Sequence, residues 1–122
     1  MRGTKVFVVD DDAIILMALR SMLEELGCEV SGTATSLDDG VRLAATVDAD
    51  MAIVDLSLAG RRALPVIEAL ARRNIPVVAS SGYDLAGMDG AGMAGIEVHG
   101  TLPKPYSLTQ LEAAVKAALD GH

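Results

Sequence analysis

Residues 5–30 read KVFVVDDDAIILMALRSMLEELGCEV. Val6-Phe7-Val8-Val9 is a short apolar run rich in β-branched residues, the composition of a buried strand. It stops abruptly at Asp10-Asp11-Asp12. Beyond the acids, Ile15, Leu19, Met22, Leu23 and Leu26 recur at helical spacing, and Gly27 follows the last of them, as a helix C-terminus expects. Asp12 stands where an N-cap belongs. Glu29 to Ala34 then reads as a second strand. Strand, helix and strand in so short a span make a βαβ unit, and parallel strands need such a crossover.

The alternation continues outward from this unit. Ser36 caps a helix carrying Leu37, Val41, Leu43 and Ala44, with Asp38 and Asp39 in the first turn where the helix dipole favours acids. Met51-Ala52-Ile53-Val54 is a third strand that ends at Asp55. A third helix carries Val66, Ile67 and Leu70, with Arg61 and Arg62 entering it. Pro76-Val77-Val78-Ala79 is a fourth strand, with Pro at its first position. Glu97 to Leu102 is a weaker fifth, and Ser107 caps a last helix with Leu108, Leu111, Val115, Ala118 and Leu119 on one face. Strands alternating with helices predict an α/β fold, a doubly wound parallel sheet covered on both sides. In such sheets ligands bind outside the carboxyl ends of the strands. Asp84 to Gly95 fits least well, because Gly87, Gly90, Gly92 and Gly95 fall where a fourth helix is due. Each interior Gly costs about 1 kcal/mol relative to Ala, so that helix is expected to be irregular.

The chain has 122 residues, the size of one ordinary domain, so residues 1–122 are read as a single unit. Aromatics make up 2% against 51% hydrophobic residues, so small and medium aliphatic side chains must fill the core. A net charge of −7 argues against binding nucleic acid or anionic membranes, both of which call for cationic patches. Cys28 stands alone, which rules out an internal disulfide and reads as a small buried hydrophobe in a reducing, cytoplasmic setting. No signal-like segment precedes the first strand, and no apolar run is long enough to span a membrane.

The strand ends collect the chemistry. Asp10 and Asp11 close the first strand, Asp55 the third, Ser80 and Ser81 the fourth, and Lys104 follows the fifth. Three carboxylates, a hydroxyl and an ammonium would converge on one shallow cleft. Carboxylates at close range cannot all ionise cheaply, and a hard divalent cation such as Mg²⁺ resolves this through carboxylate and phosphate oxygens. A carboxylate can also act as a nucleophile and form an aspartyl phosphate. The cation and a lysine then neutralise charge on the transferring group. Taken singly these features are ordinary: an acidic pair is often a solvated turn, and Lys-Pro is common in loops. Their joint placement carries the signal.

With Val8-Val9-Asp10-Asp11-Asp12, Ile53-Val54-Asp55-Leu56, Pro76 to Gly82 and Lys104-Pro105-Tyr106 in place, the sequence resembles the receiver domains of response regulators over essentially its whole length. The resemblance implies a flavodoxin-like fold with a five-stranded sheet in the order 2-1-3-4-5. It implies that Asp10 and Asp11 hold Mg²⁺, with Mn²⁺ as an alternative, and that Asp55 is both metal ligand and phospho-acceptor. The backbone carbonyl of Ser57 would complete the protein's share of the metal shell. Ser81 would be the switch hydroxyl, Lys104 would pair with the phosphoryl group, and Lys104–Pro105 would be a cis peptide. The phosphoryl group would come from a sensor histidine kinase or a histidine phosphotransfer protein, and modification would switch binding of a downstream protein target. Such a domain catalyses only its own phosphorylation and dephosphorylation.

Ser80 competes with Ser81 for the hydroxyl role. The stretch Pro76-Val77-Val78-Ala79-Ser80-Ser81-Gly82-Tyr83 resembles the FAT GUY receiver subgroup, pattern Pro-Phe-x-Phe-Ala-Thr-Gly-(Gly or Tyr), which sets Ser81 on the threonine. Three features depart from the family. Ala59 replaces the usual Pro four residues after the acceptor, Thr101 replaces the usual switch aromatic, and the glycines thin out the fourth helix. Tyr83 is the candidate replacement for the aromatic, and His99 reads as a loop residue. Two other readings were weighed. A phosphorylation-independent interaction scaffold would typically have lost the acceptor, the acidic pair or the lysine, and all are present. An aspartyl phosphohydrolase would need a second acid near Asp55 and a cap insertion, and Leu56 and Ser57 follow instead. The expectation is a stand-alone receiver that relays phosphate, acts as a sink or binds a target, unless an output domain follows His122.

Overall fold

The computed structural model describes residues 2–58, 61–81, 100–103 and 107–120, and of residues 57, 61, 81 and 100–103 the backbone alone. Strand β1 (Lys5–Val9) runs parallel to β2 (Glu29–Ala34) on one side and β3 (Met51–Asp55) on the other. β6 (Val77–Ser81) pairs with β3, and β7 (Gly100–Pro103) with β6, so the sheet order is β2-β1-β3-β6-β7. This is the expected 2-1-3-4-5 order with two additional short strands counted in sequence. The fifth strand is described over Gly100–Pro103, so its expected first residues, 97–99, lie outside the described residues, as does the whole glycine-rich stretch.

The period-2 alternation of each strand sorts the core onto two faces. Phe7 and Val9 of β1, Ala52 and Val54 of β3, and Val77 and Ala79 of β6 pack with α2 (Leu37–Ala44) and α3 (Leu64–Arg72). Val6, Val8, Met51, Ile53 and Val78 point the other way, against Leu19 and Leu23 of α1 (Ala13–Glu25) and Leu111, Val115 and Ala118 of α4 (Leu108–Asp120). Cys28 is buried in this second cluster, and burial pushes its thiol up from the ordinary value, which suits a packing role. At the other end of β1, Lys5 Nζ donates to Asp48 at 2.7 Å, which raises the ammonium and lowers the carboxyl from their ordinary values. Both groups are exposed, so the pair contributes little to stability.

The helix boundaries follow local chemistry. Asp12 accepts from the amides of Ile14 and Ile15 at 2.9 and 3.3 Å, and Gly27 adopts φ +89 after the last turn of α1. Ser36 accepts from Asp39 N–H at 3.2 Å. Ser107 and Gln110 form a reciprocal capping box, Gln110 N–H to Ser107 Oγ at 3.1 Å and Ser107 N–H to Gln110 Oε1 at 2.7 Å. Asn74 takes φ 58 to stop α3, one of the few non-glycine residues suited to that conformation.

Two expectations are corrected. Arg61 and Arg62 do not enter the third helix. They form β5 (Arg61–Arg62), paired antiparallel with β4 (Ser57–Leu58) in the register Ser57↔Arg62 and Leu58↔Arg61. Their backbone groups are used in that ladder, Ala63 N–H donates to Leu56 O at 3.0 Å, and the helix starts only at Leu64, where Pro65 fits the first turn. Leu56 and Leu58 are buried as a result and join the α2–α3 core. Pro76 also lies just before the fourth strand rather than in it, and its carbonyl accepts from Ala52 N–H at 2.9 Å.

Gly40 marks a close helix contact in this core. A Cβ there would meet Val66 Cγ2 at 3.0 Å and Val9 Cγ1 at 3.4 Å. The missing side chain lets α2 approach both α3 and β1. Overpacking costs about 1–3 kcal/mol, which exceeds the roughly 1 kcal/mol of helix propensity that glycine forfeits relative to alanine. Gly40→Val should therefore lower the urea midpoint by the equivalent of about 2 kcal/mol with an unchanged m-value. An equal or higher midpoint would show that Val66 and Val9 yield without cost.

Candidate functional site

The polar residues that interrupt the core all sit at the carboxyl ends of central strands. Among the described residues, Asp10, Asp55 and Ser80 are the buried polar or charged ones, with relative exposures of 2%, 6% and 2%. Asp10 follows β1, Asp55 ends β3 and Ser80 is the penultimate residue of β6. β1 sits between β2 and β3, so the chain leaves it toward one edge and later returns on the other side. Asp10 and Asp55 flank that switch point, where open α/β sheets form their ligand crevice.

Three consecutive aspartates divide the work there. Asp10 Oδ1 accepts from Asp12 N–H at 2.9 Å, while its own N–H donates to Ala34 O at 3.1 Å. Asp12 points to the first turn of α1 as its cap. Asp11 is exposed and lines a shallow open pocket with Asp12, Ala13 and Ile14. Carboxylate oxygens of Asp10, Asp11 and Asp55 lie within 4.8 Å of one another. Two of these carboxylates are largely removed from water, and at ~5 Å like charges repel appreciably at a protein-like dielectric. A donor set of three carboxylates with an open solvent side suits a hard divalent cation that keeps several waters.

Part of the expected site lies within the described residues. The structure brings together Asp10, Asp11 and Asp55, and Ser57 follows two residues beyond Asp55 as the first residue of β4. Ser81 ends β6, its backbone in register with Pro103, and Thr101 lies in β7 opposite Ala79. Lys104, Pro105, Tyr83 and His99 lie outside the described residues. The sequence offers Ser80 and Ser81 alike for the hydroxyl role and carries no direct sign that Ser80 is buried. The register Asp55↔Ser80 sets it directly beside the acceptor candidate, and Leu56 N–H donates to Ser80 O at 2.9 Å. Strand parity was the available signal, since Ser80 is two residues beyond Val78 and shares its face. On α1, next to the cluster, Ile14 and Met17 are large apolar residues left exposed, at 79% and 67%.

Residues 6–116 match the family profile described as the response regulator receiver domain. The chain belongs to that family. Among curated proteins, this receiver domain is 29% identical over 117 residues to the transcriptional regulatory protein PdtaR of Mycobacterium tuberculosis, an alignment covering 94% of this chain and 56% of PdtaR. The chain thus spans little more than half the length of that relative. Among solved structures, the signal receiver domain of a modulated diguanylate cyclase from Desulfovibrio desulfuricans superposes with a TM-score of 0.85 at 25% identity, covering 98% of this chain and 95% of that one. The response regulator PhyR of Brucella abortus gives 0.83 at 26% identity, over 98% of this chain and 49% of that one. The receiver domain of a Pseudomonas aeruginosa sensor histidine kinase, solved with a magnesium ion coordinated in its active-site cleft, gives 0.83 at 19% identity over 97% and 98% of the two chains; it shares the fold. No helix among the described residues is long and apolar enough to cross a membrane.

A cation that binds only the folded cluster stabilises by mass action, about 2.7 kcal/mol when free metal is 100 times its dissociation constant. The melting temperature should rise on Mg²⁺ titration and not with NaCl of matched ionic strength, and Asp11→Asn should blunt the rise. An identical Mg²⁺ response in that variant would remove Asp11 from the ligand set.

Proposed function

We propose that this receiver domain accepts a phosphoryl group on Asp55 in a Mg²⁺-dependent phosphorelay, with a sensor histidine kinase or histidine phosphotransfer protein as donor. The observation that carries the reading is the cluster of Asp10, Asp11 and Asp55 at the switch point of the sheet. Asp10 and Asp11 would hold the cation together with Asp55 and the Ser57 carbonyl. Bound there, it would supply positive charge that offsets the carboxylates and the phosphate oxygens of the donor.

The step itself belongs to Asp55. One carboxylate oxygen attacks phosphorus in line with the leaving group, forming a P–O bond as the donor's P–N bond to histidine, or P–O bond to acetate, breaks. The electron pair leaves with the imidazole or acetate, and the side chain becomes a mixed carboxylic–phosphoric anhydride. Lys104 pairs with the new phosphoryl oxygens and the Ser81 hydroxyl donates to one, drawing on the segment beyond it, with Tyr83 as reporter in place of an aromatic at Thr101. The exposed Ile14 and Met17 beside the cluster support a docking partner on α1. The residues 1–122 act in this reading as one cytoplasmic receiver domain that touches neither nucleic acid nor membrane and turns over only its own phosphoryl group. The relatives are named a transcriptional regulatory protein and a response regulator, which agrees with a signalling role.

Incubation with acetyl phosphate and Mg²⁺ should add one phosphoryl mass to the intact chain. Asp55→Asn and EDTA should each abolish the adduct. Equal labelling of the Asn variant would move the acceptor elsewhere, continuous turnover without an adduct would favour a phosphohydrolase, and no reaction would favour a phosphorylation-independent scaffold.

A further inference from the structure

Ser80 is buried beside the acceptor with a hydroxyl that, among the described residues, has no hydrogen-bond partner. Such a group is costly. A buried hydroxyl deprived of water and of a partner loses its hydration without compensation, and an alanine in the same strand would lose nothing. Ser80 cannot be turning toward solvent, since 2% of it is exposed.

Its position says what it could meet. β3 and β6 pair in the register Ile53↔Val78 and Asp55↔Ser80. Ile53 and Val78 both lie in the core cluster packed under α1 and α4. Two residues further along each strand, Asp55 and Ser80 leave the sheet on that same face. Paired residues of adjacent strands stand about 4.8 Å apart along the hydrogen-bonding direction. The serine hydroxyl has a single heavy-atom torsion with three staggered wells, and an O–H···O bond needs an approach of about 2.7–2.8 Å. A modest movement of the Asp55 side chain toward β6 closes that gap. In the resting domain Asp55 is engaged elsewhere. Once the carboxylate has become an acyl phosphate it has lost its own negative charge, and its oxygens and those of the phosphoryl group are redistributed around the site.

We propose that Ser80 is a state-dependent positioning residue: its hydroxyl is unpaired in the resting domain and donates to an oxygen of the Asp55 side chain once that side chain carries a phosphoryl group. This rests on Asp55 being the acceptor and adds to it a donor distinct from Ser81. The physical effect is a bias. The resting state bears the cost of an unpaired buried hydroxyl, the modified state does not, and the equilibrium shifts toward the modified state by that difference.

The test compares wild type with Ser80→Ala, Ser80→Thr and Ser80→Cys, using beryllofluoride as the phosphoryl mimic at fixed Mg²⁺. Without ligand, Ser80→Ala should melt at least as high as wild type, and higher by about 4–8 °C if the full cost is removed. With ligand, its beryllofluoride affinity should fall about five- to thirty-fold, the range that one or two kcal/mol represents. Ser80→Thr, which keeps the hydroxyl, should retain wild-type affinity. Ser80→Cys keeps the size with a weak donor and should lie between, so the series remains informative if the alanine variant folds poorly. Unchanged beryllofluoride affinity in Ser80→Ala overturns the proposal and leaves Asp55 as the acceptor. A lower melting temperature of unliganded Ser80→Ala also overturns it, since the hydroxyl would then be paired at rest. A wild-type domain that fails to bind beryllofluoride in any Mg²⁺ concentration, with Asp55→Asn behaving identically, removes the acceptor reading and this proposal together.

Discussion

Carboxylates at the ends of two neighbouring parallel strands, both withdrawn from water, are the constraint around which the rest of this domain is arranged. Asp10 and Asp55 are buried at the carboxyl edge of β1 and β3, and Asp11 brings a third carboxylate within 4.8 Å. Folding must hold these like charges together against their repulsion and against the loss of hydration. The stabilisation comes from the apolar sheet beneath them, in which β3 is buried throughout and β1 from Val6 onward. A rigid sheet can carry such a cluster because strand register leaves the carboxylates no freedom to separate. The same arrangement that is unfavourable by itself favours a cation that relieves it.

The apolar layers are built so that the strand ends stay close to the helices without closing over them. With Phe7 as the sole phenylalanine and no tryptophan, side chains of modest size set the sheet-to-helix distance. Gly40 lets α2 settle against Val66 and Val9, and Leu56 and Leu58 extend the α2–α3 core past the end of β3. That extension depends on the short β4–β5 ladder, which anchors the chain immediately after Asp55 and so fixes the direction in which the backbone leaves β3. On the opposite face, α1 begins directly at the acidic triplet. Asp12 caps it and Asp10 accepts from Asp12 N–H, so the helix start and the site are mechanically one unit.

Much of this was legible in the chain itself. The alternation of β-branched runs with amphipathic segments, punctuated by Asp12, Gly27, Ser36 and Ser107, determined the order of elements, because capping and hydrophobic periodicity act over a few residues and need no distant partner. The acids Asp10, Asp11 and Asp55 could be assigned to strand ends for the same reason: each directly follows or ends an apolar run. The likeness to receiver domains then followed from those acids and from the Lys104-Pro105 pair, and the match over residues 6–116 bears it out.

Tertiary structure decided what depends on distance and register. That Asp10 and Asp55 share one buried corner requires β1 and β3 to be neighbours, a pairing between segments some forty-five residues apart that no local pattern encodes. Arg61 and Arg62 carry ordinary helix propensity, yet they pair with Ser57 and Leu58, since a backbone ladder and the burial of Leu58 outweigh a preference worth tenths of a kcal/mol. The two serines closing β6 are alike in sequence, and only the register Asp55↔Ser80 sets the buried Ser80 opposite Asp55. Composition and periodicity thus determined the elements and the chemical inventory of the site, whereas its geometry came from strand pairing, because the side-chain period of two makes every contact across a sheet depend on register.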